Sequence, residues 1–200
     1  MITRRMMLAG AATIAAAGRA PAQDSEPPTD ADGLYTQPWF HTSFLDMAED
    51  LGEARQAGKH LMILWEQRGC PYCRELHRVN LVRPEIRDYL LDTYLVVQLN
   101  LWGDRAVTDF DGQVLAEKRM ARKWGVTFTP TVILINSAIA APASMAEAEA
   151  FRMPGYFKPF HFLSGAEFAA GGNYRDEHFQ RFLQARANRL RERGIEPDLW

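Results

Sequence analysis

The sequence predicts an α/β domain with a central mixed β-sheet flanked by helices and with extra C-terminal helices. Strand-like apolar runs alternate with helix-like segments in the first half of the chain, which favours parallel pairing there. A Cys-x-x-Cys pair lies where one strand passes into a helix. The last two strand-like runs are close enough in sequence to form an antiparallel hairpin, so the sheet should contain both strand directions.

The first half of the domain contains five predicted elements. A helix over 43–58 is capped by a serine at its start and ended by a glycine. The strand over 60–65 is almost continuously apolar, which indicates burial on both faces. Helices are expected over 70–80 and 84–94, and the next strand over 95–101.

The second half is predicted to begin with a polar loop over 102–113, a helix over 114–124 and a strand over 126–135. An alanine-rich hairpin loop over 136–150 and an edge strand over 151–156 follow. The last two predicted elements are helices over 158–170 and 176–193. Pro130 interrupts the strand, and central strands avoid proline, so we expect Pro130 at the strand's first residues or after a bend. The last helix is amphipathic with a basic outer face, a pattern typical of a solvated surface.

The two cysteines of the chain, Cys70 and Cys73, carry the predicted chemistry. Pro71 occupies the first helical position, where its missing N–H has no cost. The partial positive charge at a helix N-terminus stabilises a thiolate on Cys70. Cys73 follows one turn later, close enough to close a disulfide. The pattern predicts a redox-active dithiol.

Three other interpretations of the cysteines remain open. A structural disulfide across four residues would close too small a loop to add much stability. A structural zinc site normally has four ligands, so a Cys2His2 site would require His60 and His77 to converge on the pair. The cysteines could also be plain core residues. The spacing, Pro71 and the strand-to-helix context together favour redox chemistry.

The N-terminal residues 1–22 are predicted to be a cleaved export signal. Arg4 and Arg5 precede a mild apolar stretch over 6–18, and Ala20-Pro21-Ala22 forms a small-x-small cleavage site. The arginine pair favours twin-arginine export over an ordinary secretory signal. The apolar stretch is too short to span a bilayer, so we expect a periplasmic protein without a stable membrane anchor.

Net charge and cysteine content indicate which kinds of binding partner the protein has. The 200-residue chain has a formal net charge of −2, which does not indicate a nucleic-acid partner. An exported chain whose two cysteines lie on one turn is not a disulfide-stapled scaffold and more plausibly acts on the disulfides of other proteins. Residues 23–36 are polar and predicted to be a flexible tether, which leaves 37–200 as one domain.

The chain resembles the thioredoxin superfamily through Cys70-Pro71-Tyr72-Cys73 after a buried strand, Thr129-Pro130 before a second strand, and Gly155. The segments WEQRGCPYCRELHRVN, VVQLNLWG and FTPTVIL resemble the exported thioredoxins that accompany bacterial sulfur-oxidation systems, the SoxW type. The resemblance covers about residues 40–190 and implies a thioredoxin-like fold.

The resemblance also implies a role for each matching residue. Cys70 would be the exposed nucleophile and Cys73 the buried resolving thiol. Pro130 would be a cis proline facing the dithiol, and Thr129 would offer its backbone to a bound substrate. The ring of Tyr72 would either pack on substrates or cover the helix end.

Two departures from the resemblance concern the site. Similar thioredoxins usually carry a buried acid six residues before the first cysteine, and this chain has Leu64 there. Glu66 is the nearby acid, and it either takes over proton transfer to Cys73 or is a solvated rim residue. Cys-Pro-Tyr-Cys is also the motif of glutaredoxins, so recycling by glutathione remains an alternative.

The predicted function is reduction of disulfides in periplasmic, sulfur-oxidation proteins, with electrons supplied by a membrane dithiol carrier and with no cofactor besides the Cys70–Cys73 disulfide. One alternative is an oxidase or isomerase that serves disulfide formation, since the same exchange steps run in reverse. Another is a non-enzymatic copper- or zinc-binding module that uses both cysteines and His77.

Overall fold

The computed structural model of the protein describes residues 26–197. The predicted export signal and its cleavage site, residues 1–22, lie outside the described residues, as does the mature start expected at Gln23. Within the described part, no helix has the length and apolar character needed to cross a membrane.

The described residues form six strands and seven α-helices. The strands are β1 His60–Glu66, β2 Tyr94–Asn100, β3 Ala106–Thr108, β4 Val114–Ala116, β5 Thr131–Ile135 and β6 Glu149–Pro154. The helices are α1 Met47–Gln56, α2 Pro71–Glu75, α3 Pro84–Thr93, α4 Glu117–Lys123, α5 Met145–Ala148, α6 Pro159–Ala170 and α7 Phe179–Glu192. A π-helical turn, Leu76–Asn80, continues α2, and a 3₁₀ turn, Asn173–Arg175, lies between α6 and α7.

The main sheet has four strands in the order β2-β1-β5-β6. β1 is parallel to β2 and antiparallel to β5, and β5 is antiparallel to β6. The parallel pair needs a long crossover, which α2, the π turn and α3 supply. These pairings confirm the predicted mixed sheet.

Alternate residues of β1 divide the core between the two faces of the sheet. Leu61, Ile63 and Trp65 belong to one buried cluster, together with side chains of α1 and α4. Met62 and Leu64 point to the other face, where the π turn, α3 and α6 pack. α7 packs on the outside of α6, which confirms the predicted extra helices at the C-terminal end.

Several boundaries differ from the sequence prediction. β5 begins at Thr131, so Pro130 lies just before the strand rather than inside it. Val114–Ala116, predicted as helix, pairs instead with Ala106–Thr108 in a small second sheet. Strands of three residues depend on pairing with a partner segment. Their own sequence is too short to show the alternation of apolar and polar residues that predicts a strand.

The start of α1 also differs from the prediction. The helix is capped by Asp46, whose carboxylate accepts two backbone N–H bonds of the first turn. Ser43, the predicted cap, instead accepts the N–H of Leu45 and donates to the buried carboxyl of Asp50. Burial raises the pKa of Asp50 to about 6.

Residues 26–36 pack against the domain, in contrast to the expected flexible tether. Leu34 is buried among core residues. Glu26 forms an ion pair with Arg74, and Arg68 donates to a backbone carbonyl of this segment. The segment therefore contacts Arg68 before the two cysteines and Arg74 after them. Its polar composition does not predict these contacts.

Candidate active site

A sharp strand-to-helix connection places the dithiol at the carboxyl end of β1. Gly69 has a φ of +69°, a left-handed conformation that suits glycine, and it turns the chain toward α2. Cys70 caps α2 in an extended conformation, and Pro71 takes the first helical position as predicted. The backbone N–H of Cys70 donates to the carbonyl of Gln67 at 3.4 Å, which closes the turn.

Cys70 and Cys73 form a disulfide, with their Cα atoms 5.2 Å apart. Cys73 is fully buried, as expected for a resolving thiol. Cys70 is only 2 % exposed, in contrast to the expected exposed nucleophile. The reason is Thr129, whose carbonyl oxygen lies 3.5 Å from the Cys70 sulfur and whose hydroxyl also contacts it.

Two donors are directed at the Cys70 sulfur. The backbone N–H of Cys73 donates to it at 3.0 Å, and the Thr129 hydroxyl donates at 3.3 Å. Hydrogen bonds to a thiolate favour the ionised form, and the N-terminal end of the helix acts in the same direction. In the reduced protein this geometry therefore favours a thiolate on Cys70.

The residues just before β5 lie against the Cys70 sulfur. The Thr129–Pro130 peptide bond is cis, which confirms the expectation for this motif. The carbonyl of Pro130 accepts the N–H of Gly155 at 2.8 Å. Gly155 has a φ of +89°, so a residue with a Cβ would be strained there. The Thr-Pro motif therefore contacts both the Cys70 sulfur, through Thr129, and the backbone of Gly155, through Pro130.

Three exposed aromatic side chains belong to the segments that contain or contact the dithiol: Tyr72, Trp102 and Phe128. Tyr72 lies between the cysteines and Phe128 directly precedes Thr129. The indole N–H of Trp102 donates to the Gln67 side chain in the loop before Cys70. Tyr72 is 62 % exposed, and its ring lies nearly parallel to the ring of Tyr156, with the centroids 6.5 Å apart.

Glu66 is fully buried, which excludes the alternative of a solvated rim residue. Its carboxylate lies 3.1 Å from Nε2 of the fully buried His77, and the side-chain amide of Gln98 also donates to it. Burial raises the pKa of Glu66, because a charged carboxylate is disfavoured away from water, and these donors act in the opposite direction.

The structure does not assemble the metal site considered from the sequence. Nδ1 of His77 faces the Gln37 amide, and His60 accepts the backbone N–H of Ser137. Within residues 26–197, the group of side chains close enough to hold a metal ion lies elsewhere, at His41, Asp50 and Glu53. Both cysteines form the disulfide in this structure, and both ring nitrogens of His77 contact other side chains.

Comparison with known proteins identifies the family. A family model for the thioredoxin-like domain matches residues 47–169. The chain belongs to this thioredoxin-like family. No curated protein matches the sequence.

Two solved structures are similar to this thioredoxin-like chain. One is a thioredoxin-fold protein from Helicobacter pylori, with a TM-score of 0.52 and 20% identity, covering 75% of this chain and 92% of that one. The other is a thioredoxin from Thermus thermophilus, with a TM-score of 0.49 and 21% identity, covering 66% and 94%. At 20% identity, the likeness to the Helicobacter pylori protein concerns the fold.

The family and the disulfide together fit a thiol–disulfide oxidoreductase, in agreement with the predicted enzyme class. Sequence reasoning missed three residues that complete the site. His77 lies one turn after Cys73, where the sequence suggests only a metal ligand. Gln37 and Gln98 carry no local signal, because their contacts form only when distant segments pack together.

Proposed function

We propose that the protein is an exported reductant that reduces disulfides in periplasmic proteins, including sulfur-oxidation proteins of the kind served by SoxW-type thioredoxins. The observation that carries this proposal is the Cys70 sulfur, which receives two hydrogen bonds at a helix N-terminus beside the cis Pro130. The periplasmic location rests on the predicted signal in residues 1–22.

The reaction proceeds by two exchange steps. The Cys70 thiolate attacks a client disulfide, forms a mixed disulfide, and releases the client's other sulfur as a thiolate. Cys73 then loses its proton and attacks the Cys70 sulfur. The client's second thiolate leaves, and the Cys70–Cys73 disulfide is formed. Two electrons have passed from the enzyme to the client, and the chemistry needs no cofactor besides the dithiol.

The surface around the sulfur supports proteins as clients. Tyr72, Trp102 and Phe128 are exposed aromatic side chains on the segments that contain or contact the dithiol. Solvent-exposed aromatic rings gathered at one place are typical of protein-binding surfaces. Thr129 lies next to the sulfur, where its backbone could pair with an extended client segment.

A reductant must itself be reduced, and in the periplasm we propose a membrane dithiol carrier as the electron source. The carrier's thiolate would attack the disulfide and return both cysteines to the thiol state. If glutathione alone recycles the oxidised protein at a comparable rate, this choice of electron donor is wrong.

The reduction potential of the Cys70–Cys73 couple tests the direction of the reaction. It is measured by thiol alkylation after equilibration in defined redox buffers. Reductants of the thioredoxin kind lie near about −270 mV and strong oxidants near about −120 mV. We expect a value near the first. A value near the second would assign the protein to disulfide formation.

Single cysteine variants test the roles of the two thiols. Cys70→Ser removes the nucleophile and should lower client disulfide reduction by at least about 10³-fold. Cys73→Ser should also block turnover, but it should accumulate a mixed disulfide on Cys70 that non-reducing electrophoresis detects. Trapping by Cys70→Ser instead of Cys73→Ser would reverse the assignment.

A further inference from the structure

A cluster of potential metal ligands lies away from the dithiol, between α1 and the segment that precedes it. His41, Asp50 and Glu53 each offer one ligand atom, and these three atoms all lie within 4.8 Å of one another. Asp50 and Glu53 are three residues apart in α1, so their side chains share one face of the helix. His41 reaches them from the segment before the helix. The fold thus brings one imidazole and two carboxylates together.

Nε2 of His41 is the atom that most favours a bound metal ion. This nitrogen is shielded from water, yet it has no hydrogen-bond partner with acceptable geometry. It lies 2.8 Å from Oε2 of Glu53 and 4.0 Å from Oδ1 of Asp50. Zinc–nitrogen and zinc–oxygen bonds are about 2.0 to 2.2 Å long, so two ligand atoms of a tetrahedral site lie about 3.3 Å apart. Close approach without hydrogen-bond alignment is the geometry expected of two atoms that bind one ion.

The carboxylate of Asp50 is oriented by Ser43. The side chain of Asp50 is only 3% exposed, and its Oδ2 accepts a hydrogen bond from the Ser43 hydroxyl at 2.7 Å. The Ser43 oxygen is itself fixed, because it accepts the backbone N–H of Leu45 at 2.6 Å. Hydrogen-bonded neighbours of this kind commonly orient the ligands of metal sites. Ser43 would therefore support the site without binding the ion.

The electrostatic surroundings of Asp50 also favour a cation. Burial raises the pKa of Asp50 to about 6, the charges of Glu53 and Asp46 act in the same direction, and the charge of His41 acts in the opposite direction. A buried carboxylate is costly unless donors or positive charge compensate for the lost water. A divalent cation between the carboxylates of Asp50 and Glu53 would offset both the burial and their mutual repulsion.

We propose that Nε2 of His41 and the carboxylates of Asp50 and Glu53 bind one Zn²⁺ ion. Zinc accepts imidazole nitrogen and carboxylate oxygen, and sites with three protein ligands complete their coordination with a water molecule. Calcium fits the cluster less well, because it takes about six to eight oxygen ligands. The site uses no cysteine, so it is independent of the proposed disulfide reduction.

The bound ion would fix the segment that covers the edge of the main sheet. β2 is an edge strand of that sheet, and the backbone N–H of His41 donates to the carbonyl of Val96 in β2 at 2.8 Å. Uncovered edge strands can pair with other chains. An ion shared by His41 and α1 would connect this covering segment to the helix. The role that follows is structural, because an ion that binds the folded protein alone stabilises it.

Calorimetric titration with ZnCl₂ tests the site directly. The protein is first dialysed against a chelator and is kept oxidised, so that the disulfide prevents the cysteines from binding zinc. We expect one ion per chain. His41→Ala and Glu53→Gln should each weaken zinc binding by at least about 10²-fold, and Ser43→Ala by about 10-fold, since loss of a supporting residue alone typically costs about 10- to 100-fold in affinity.

Matched controls come from side chains of the same types outside the cluster. His178 and Glu49 are both exposed, and Glu49 belongs to the same helix as Glu53. His178→Ala and Glu49→Gln should bind zinc with the affinity of the wild-type protein. These controls distinguish the proposed site from weak binding to surface histidines and carboxylates.

Two further measurements follow the structural role. Zinc should slow hydrogen exchange of the His41 amide and raise the urea concentration at the midpoint of unfolding in the wild-type protein, and it should do neither in His41→Ala. Glu53→Gln replaces a side chain that is 46% exposed, so it should fold even if variants of the buried Asp50 do not. The proposal is overturned if the wild-type protein binds no zinc, if it prefers Ca²⁺, or if His41→Ala and Glu53→Gln bind zinc as tightly as the wild-type protein. Disulfide reduction should continue without zinc, so failure here would leave the proposed function standing.

Discussion

Two fully buried carboxyl groups, those of Glu66 in β1 and Glu117 in α4, both neighbour Asn100 of β2. Asn100 is the register partner of Glu66, and its backbone N–H donates to Glu117 at 2.8 Å. Glu117 also contacts the guanidinium of Arg105 at 2.6 Å, whereas Glu66 contacts the imidazole of His77. A guanidinium keeps its charge at every physiological pH. One buried carboxyl is therefore paired with a permanent cation, whereas the other is paired with an imidazole and an amide.

The largest loss of unfolding free energy is expected for Gly103→Ala, which separates the Glu117 carboxylate from its hydrogen-bond donors without changing any charge. A Cβ at Gly103 would lie 1.9 Å from Oε2 of Glu117, so Gly103→Ala must displace the buried carboxylate from its donors. We expect a loss of about 3 kcal/mol in the free energy of unfolding, measured by chemical denaturation, with an unchanged reduction potential. Gly52→Ala is the control, because a Cβ there meets nothing within 4 Å and should stabilise α1 slightly. Equal stability of the two variants would show that Glu117 adapts freely.

A smaller effect, with a defined sign, is expected for the stability of Glu66→Gln as pH changes. The pKa of Glu66 is raised in the folded protein above its ordinary value of 4.5. Its contribution to stability is therefore fully present below pH 4.5 and is lost as pH rises through the folded-state pKa. Glutamine does not ionise, so the difference in unfolding free energy should move in favour of the variant as pH rises. Urea titrations at several pH values measure this difference, and a constant value would contradict the assignment.

The smallest effect is expected for Arg105→Met. The Arg105 side chain is 48% exposed, so water screens its ion pair with Glu117, and the carboxylate keeps its backbone donors from Asn100 and Arg105 itself. We expect a loss of about 1 kcal/mol in unfolding free energy that becomes smaller at high salt. A loss as large as that of Gly103→Ala would instead identify the guanidinium as the main support of Glu117.

The predicted site and the observed site agree best where the chemistry is local. The spacing of Cys70 and Cys73, with Pro71 between them, predicted a helix start that holds a disulfide, and the structure has both. The expected cis bond before Pro130 is also present. In contrast, the burial of Cys70 depends on Thr129, which lies 59 residues away in sequence, and it was not predicted.

The environment of Glu66 is a second case in which contacts between residues distant in sequence could not be predicted. Its position four residues before Cys70 is evident from the sequence, but two opposite interpretations are equally compatible with that position. The contacts that distinguish them come from His77, 11 residues away, and from Gln98, 32 residues away on the neighbouring strand. The packing of residues 26–36 depends in the same way on Arg68 and Arg74, which a polar composition does not reveal.

The sequence alone established the dithiol, its position at a helix N-terminus and the mixed sheet around it, because each depends on residues within one turn or one strand. The burial of the Cys70 sulfur, the Glu66–His77 pair and the cover formed by residues 26–36 emerged only from the folded chain. These features depend on segments that meet across the sheet, and the free energy of a buried charge is set by all the groups around it rather than by its neighbours in sequence.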